Sequence, residues 1–244
     1  YSITPSNQRL NSSITNLSKY LKQFLNYDGK NLSQLDLSSS QPLLLYHFLA
    51  SKNWKKQQNN NEERRKNKEK EDDYEKNKKI SHMLDTLNNI DDVDLDNELE
   101  RYKKLFDGDF YENIINEVKK YNPEKEKLIG FTDRNECKKT IMYLLFERFD
   151  TFTKSNKIQY KIFKKTFPSI TYILDVIKVN KKNNIALILQ NLESDLFLNN
   201  ITKQISDIDP KIPLFTIHDA ILTTPEHVEF VFNIMKISIQ KMTG

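Results

Sequence analysis

Towards the C-terminal end, Ile212-Pro-Leu-Phe-Thr-Ile-His-Asp-Ala-Ile-Leu-Thr-Thr224 is an apolar, β-branched run broken at its centre by His218-Asp219. The pattern predicts two short strands with an acidic residue at or next to the turn that joins them. A carboxylate there is poised to hold a divalent cation rather than to pack. Asp36 is its candidate partner. It lies between Leu35 and Leu37, near the end of an alternating stretch that reads as a strand running into a helix. Alone, an aspartate ahead of a helix N-terminus simply complements the helix dipole. Paired with Asp219, it makes a candidate two-metal site for phosphoryl transfer. Two aspartates sharing two cations can activate a 3′-hydroxyl and stabilise a leaving pyrophosphate.

A second set supplies the opposite charge. Arg134, Lys138, Met142 and Phe146 recur every four residues. On a helix this spacing keeps them on one slowly drifting stripe. The two cations at its N-terminal end suit a triphosphate: arginine as a bidentate fork, lysine as a point charge and proton donor. Met142 and Phe146 suit a base or sugar. Read without a partner, the same stripe is a surface helix with a basic edge and an apolar core edge.

Composition bounds the setting of these groups. The chain has 244 residues, enough for one large domain or two small ones. It begins with Tyr1 rather than Met, so a fragment or a processed piece is expected. Charged residues make up 30% and hydrophobic ones 37%, yet the formal net charge is only +4. A nucleic-acid field would therefore have to be concentrated locally. Cys137 is the one cysteine, which excludes an internal disulfide. Four glycines are too few for a glycine-rich phosphate loop. No apolar run approaches the length of a membrane span, so a soluble intracellular protein without a membrane partner is expected, cytoplasmic, or nuclear or organellar in a eukaryote.

The elements that must position the candidate groups follow in order. Residues 1–30 read as an N-terminal helical segment, from Leu17, Tyr20, Leu21 and Phe24 at helical spacing. Residues 31–54 hold the Leu32–Leu37 strand with Asp36, then a helix opened by Pro42. Residues 55–98 form a charged insertion, expected to be flexible because Lys55–Lys79 cannot bury a core. Asp91, Asp92, Asp94 and Asp96 lack the glycine and terminal glutamate of a calcium loop. Residues 99–180 read as helical, with breaks at Asp107-Gly108-Asp109, around Pro123–Gly130, and at Pro168. Asp133 with Glu136 resembles a capping box for the helix of the cationic stripe, which runs to about Phe149. Residues 181–244 hold an amphipathic helix from Asn184 to Ile205, the His218-Asp219 hairpin, and a last helix after Thr224-Pro225. The fold class is α+β: a small antiparallel sheet packed by many helices.

These residues carry a resemblance. Arg134-x3-Lys138-x3-Met142-x3-Phe146 resembles the nucleotide-binding helix of family A DNA polymerases and bacteriophage-type single-subunit RNA polymerases, Arg-x3-Lys-x3-(Phe or Met)-x3-Tyr-Gly. His218-Asp219 is similar to the third motif of their palm domain, His-Asp on a β-hairpin. Asp36-Leu-Ser-Ser-Ser-Gln41 resembles the first, which reads Asp-Tyr-Ser-Gln-x-Glu in the DNA enzymes. Gln190-Asn-Leu-Glu-Ser-Asp195 matches a Gln-x4-Asp element on the helix before the hairpin. Phe163 with Phe167-Pro168, and Asp109–Ile114, resemble segments that flank the nucleotide helix. All occur in the family's order, from about residue 31 to the end. Phe146-Glu147 stands where the family has Tyr-Gly, and Gln41 where it has a sugar-discriminating glutamate.

The resemblance implies a palm-like fold with a catalytic hairpin and a fingers-type nucleotide helix. It implies Mg²⁺, two ions, on Asp36 and Asp219. Arg134 and Lys138 would bind the incoming triphosphate, with Lys138 as proton donor to pyrophosphate. Met142 and Phe146 would line the base and sugar pocket, and Gln41 would sense the sugar 2′ position. Gln190 would touch primer or template, and His218 would support the primer terminus. The expected partners are a nucleic-acid template and primer, nucleoside triphosphates, and further domains or subunits supplying a thumb. The Asp36-to-Gln41 spacing favours DNA synthesis; Met142 supports a single-subunit RNA polymerase instead. A catalytically silent palm that binds nucleic acid or protein, and a helical scaffold with a chance match, stay open.

Overall fold

The computed structural model describes residues 2–52, 92–124, 128–147, 157–180 and 184–243. They form an α+β fold of helices with small antiparallel sheets. The chain divides into two compact units, residues 1–47 with 187–244, and residues 48–186.

The first unit is built around a three-stranded antiparallel sheet of order β5-β7-β6, with β5 at Ser33–Asp36, β6 at Phe215–Ile217 and β7 at Ala220–Thr223. The central strand β7 is buried along its whole length, as its Ala-Ile-Leu-Thr sequence demands. The edge strand β5 alternates half-buried and exposed positions, the mark of a strand with one wet face. Ile217, Ala220 and Leu222 make a small core beneath the hairpin, and Ile14, Leu25, Leu32 and Phe215 pack on it. Helix α2 (Ser40–Ala50) follows β5.

The return to this unit runs through α8 (Asn184–Ser194), a π-helical stretch at Asp195–Thr202 and α9 (Lys203–Ile208). The last helix, α10 (Val228–Thr243), follows a 3₁₀ turn at Pro225–His227. It packs on the π-helical stretch, α9 and β5, burying Val231, Ile234 and Met235.

The N-terminal residues depart from the expected helical segment. Two short hairpins take up about half of 1–30: β1 (Ser2–Ile3) with β2 (Leu10–Asn11), and β3 (Asn26–Tyr27) with β4 (Lys30–Asn31). Helix α1 spans only Lys19–Lys22. The cause is legible in Asp28-Gly29. Both residues take positive φ, 55° and 77°, as a two-residue hairpin turn of this type requires. The helical spacing of Tyr20, Leu21 and Phe24 buries nothing: all three are exposed.

The second unit is helical. Its elements are α3 (Asp92–Lys104), α4 (Phe110–Tyr121), α5 (Arg134–Phe146), α6 (Lys157–Thr166) and α7 (Pro168–Asn180). Helix α7 packs on α3 and α6, and α4 packs on α5 and α6. Tyr102 is the hub of the core, with the rings of Phe106, Phe110 and Phe167 at 5.9, 5.6 and 5.5 Å. Most of the expected charged insertion, residues 55–91 of 55–98, lies outside the described residues. Its last part does not behave as an insertion, because residues 92–98 open α3. Leu95, Leu99 and Tyr102 are buried one helical turn apart, and the buried Glu98 carboxylate accepts the Ser169 and Ile170 N–H groups at 2.8 and 3.1 Å. A carboxylate there caps the exposed donors of α7 and matches the positive end of its dipole.

Helix α5 begins where the sequence predicts. The Asp133 carboxylate accepts the Asn135 and Glu136 N–H groups at 2.8 and 3.0 Å. It ends at Phe146, short of Phe149. The Lys178 ammonium donates to the Leu144 carbonyl and, at 2.9 Å, to the Glu147 carbonyl, groups that the helix end leaves without internal partners. No described helix is long and apolar enough to cross a membrane.

Candidate active site

The two aspartates sit at one end of one sheet. Register pairs Asp36 with Ala220, which puts Asp219 one residue beyond, opposite Leu37 and diagonal to Asp36. Pairing continues past the strand end, where the Leu37 N–H donates to the Asp219 carbonyl at 3.0 Å. The two-residue connection Ile217-His218-Asp219-Ala220 closes the β6–β7 hairpin, with Ile217 opposite Ala220. His218 takes a left-handed backbone, φ 49°, and thereby carries the turn so that Asp219 precedes the buried strand.

Asp36 is exposed and Asp219 half-buried. Neither forms an ion pair with a described residue. The Gln34 amide donates to Asp36 Oδ1 at 2.6 Å, and the Ser40 hydroxyl donates to Asp219 Oδ2 at 3.1 Å. Asp36 Oδ2 and Asp219 Oδ1 accept no bond from a described residue. Two carboxylates with one oxygen each to spare are a donor set that fits Mg²⁺, a hard cation bound through one or two carboxylates plus substrate oxygens and water. No group of three or more His, Cys, Asp or Glu among the described residues could hold a metal ion.

Behind the aspartates lies a polar network that the motif reading did not anticipate. Glu193 of α8 is buried, and its two carboxylate oxygens accept bonds from Arg9 and from the Gln41 side-chain amide. Burial pushes the Glu193 carboxyl above the usual carboxylate range; nearby Asp219 adds to the rise, and Arg9 opposes it. Asn7 donates to Gln190 Oε1 at 3.0 Å, and Ser194 Oγ donates to the Asn7 carbonyl at 3.2 Å. Gln41, placed by resemblance at the sugar 2′ position, is buried and spends its amide N–H on Glu193. Its Oε1 is buried without a protein partner. His218 Nδ1 and Arg9 Nε are likewise buried and without one. Burial lowers the His218 imidazole below its usual value, with Arg9 and Lys22 adding to the effect and Asp219 opposing it.

A signal for Glu193 does exist in the sequence. Ile185, Leu189 and Glu193 stand four residues apart, so a carboxylate occupies the apolar face of α8. A buried acid of that kind needs partners. Arg9 and Ser40 carry no comparable signal.

In the second unit, α5 turns Cys137, Thr140, Ile141, Leu144 and Leu145 to the core. Arg134 and Lys138 are exposed, and Met142 and Phe146 are half-buried, so the expected stripe lies on the outer face. Arg134 is engaged there: its Nε donates to Asp109 Oδ2 at 2.8 Å, and its guanidinium lies 5.4 Å from the Tyr111 ring. Burial pushes the Asp109 carboxyl up, but the Arg134 bond and the α4 N–H groups outweigh it and hold it below the usual range. Cys137 is buried, and burial pushes its thiol up to about 12, which rules out a thiolate nucleophile at neutral pH.

Compared with protein-family models, with curated proteins and with solved structures, the chain matches none.

Proposed function

We propose that the chain is a template-directed nucleotidyltransferase of the DNA polymerase type, adding nucleotides to a 3′-hydroxyl. The reading is supported above all by the β5–β7 pairing, which brings the strand end that bears Asp36 beside the turn that bears Asp219 although they lie far apart in the chain. Asp36 and Asp219 would hold two Mg²⁺ ions, which when bound neutralise charge on the attacking and leaving oxygens. The remaining work belongs to the chain. Ser40 fixes one oxygen of Asp219 and leaves the other free to coordinate. The Leu37–Asp219 backbone bond holds the turn at the strand end. His218 offers its ring to a primer terminus, and Gln190 offers an amide to primer or template. On α5, the Arg134 Nη groups and the Lys138 ammonium would take the triphosphate, with Lys138 donating a proton to pyrophosphate. Met142 and Phe146 offer apolar surface to base and sugar. In-line displacement asks for little beyond positioning and charge neutralisation. A partner domain or subunit would supply the thumb.

The test is primer extension on a DNA template with Mg²⁺ and labelled deoxynucleotides and ribonucleotides. Extension by the wild type, lost in Asp36→Ala and in Asp219→Ala with nucleic-acid binding retained, is the expected result. Full activity in both variants, or no extension by the wild type with either nucleotide set, refutes the proposal.

A further inference from the structure

Between the two N-terminal hairpins, an unusual amount of apolar ring surface faces outward. Tyr20 is 69% and Phe24 60% exposed, and Leu21 and Tyr27 also face solvent. The Tyr20 and Phe24 rings stand edge to face at 5.3 Å, and Tyr27 leans on Phe215 of the catalytic hairpin at 5.9 Å. These rings are held in place rather than trailing. Ile14 and Leu25 pack on the Ile217, Ala220 and Leu222 core under the hairpin, so the residues between them are anchored at both ends. The charge has one sign. From Tyr1 to Tyr27 the chain carries Arg9, Lys19 and Lys22 and no carboxylate. Arg9 bonds Glu193, which also takes the amide of Gln41, the residue after the Ser40 that bonds Asp219, so part of this cationic segment reaches the turn that bears Asp219.

Accessible ring faces interleaved with cations are what an unstacked polynucleotide strand requires: bases stack on the rings, and phosphates meet the lysine and arginine. A duplex offers only its phosphates to such a face, because its bases are already stacked. Resting on the polymerase reading for the identity of the strand, we propose that Tyr20 and Phe24, with Tyr27, Lys22 and Arg9, form a docking surface for unpaired DNA. It guides the single-stranded part of a primed template past the hairpin.

The experiment measures the affinity of the whole chain for a dye-labelled 20-nucleotide single-stranded DNA by fluorescence anisotropy. Both aromatic positions are exposed, so variants keep the fold, and circular dichroism and a thermal melt verify this. The Tyr20→Ala/Phe24→Ala variant is expected to bind about tenfold more weakly or worse. The ring-preserving Tyr20→Phe variant retains affinity. Lys22→Gln reduces the slope of log affinity against log salt by roughly one phosphate contact. Unlabelled blunt duplex of the same sequence competes poorly. Unchanged affinity in the double alanine variant, equal competition by duplex, or capture of an RNA strand alone overturns the proposal. So does a double variant whose oligomeric state changes while its DNA affinity does not, since the face then covers protein. Primer extension is read in parallel. Aromatic-dependent strand binding without extension by the wild type removes the polymerase reading and leaves the docking surface standing. Extension with strand binding indifferent to Tyr20 and Phe24 does the reverse.

Discussion

Glu193 offers a sharp test of how the network behind the aspartates is held together. Its side chain is 2% exposed and that of its partner Arg9 is 23%, while Gln41 as a residue is 8% exposed. Glu193→Ala removes the acceptor of two donors. The buried Gln41 amide is left unsatisfied, which costs about 1–3 kcal/mol. The part-exposed Arg9 can turn to water and contributes less, about 1 kcal/mol or below. Lost methylene burial adds about 1 kcal/mol. The expected total is about 2–5 kcal/mol. Glu193→Gln keeps the shape and one acceptor and removes a charge that burial already disfavours. Its expected effect is within about 1 kcal/mol of zero in either direction.

The pH dependence separates the two terms. Burial, reinforced by Asp219, holds the folded carboxyl above its unfolded value. The folded state therefore binds this proton more tightly than the unfolded chain does. The associated stability is complete below the unfolded carboxylate range and is lost as pH rises through the elevated folded value. Wild type shows this loss, and Glu193→Gln does not. Urea unfolding at a series of pH values, followed by circular dichroism, measures both. Equal damage from Gln and Ala, or parallel pH profiles for wild type and Glu193→Gln, refutes the reasoning.

Two further outcomes follow from the same geometry. Ser40→Ala removes the donor to Asp219 Oδ2 and should lower extension activity or Mg²⁺ affinity by about 10–100-fold with the fold intact, checked by Mg²⁺ titration of primer extension. Lys178 is the second. Burial lowers its ammonium to about 8, and Asp175 and Glu147 oppose the shift. In the unfolded chain the group keeps its ordinary higher value, so the unfolded state binds more protons above pH 8, and stability rises with pH in that interval. Lys178→Met should abolish the rise and destabilise the C-terminal end of α5, read as the difference between the two thermal-melt profiles across pH 7–10.

How much of this was legible depended on whether the information was local. The hairpin around His218-Asp219 and the strand ending in Asp36 are written in alternation and β-branching, and both appear where expected. Asp133 announces the start of α5, but the apolar core edge expected at Met142 and Phe146 lies on the outer face, and Cys137, Ile141, Leu144 and Leu145 face the core instead. The N-terminal segment misled because Leu17, Tyr20, Leu21 and Phe24 imitate a helical face, while the Asp28-Gly29 turn carries a stronger local instruction. The end of the charged insertion misled for another reason. Asp92–Glu98 looks solvated until Glu98 is seen capping the N-terminus of α7, some seventy residues downstream. The partners of Glu193 were beyond reach for the same cause, since Arg9 and Gln41 meet it only through the tertiary fold.

The distribution of unsatisfied polar atoms gives these pieces a common meaning. Folded chains pair nearly all their buried donors and acceptors, so an exception calls for an explanation. Among the described residues seven such side-chain atoms occur, and three of them, Arg9 Nε, Gln41 Oε1 and His218 Nδ1, belong to residues linked by hydrogen bonding or electrostatics to Glu193 or Asp219; the others are on Asn122, Asn191, Thr223 and Thr224. A network serving stability alone gains from pairing those atoms with one another, because each unmatched one costs free energy. Its neighbours could also be apolar at little expense, as buried ion pairs often can. Retaining a buried acid, a guanidinium and an amide behind Asp36 and Asp219, with polar atoms left over, suits a surface that completes its hydrogen bonds with a polar substrate. On this argument Glu193 and Arg9 belong with Asp36 and Asp219, and the N-terminal hairpin that carries Arg9 is part of the working unit.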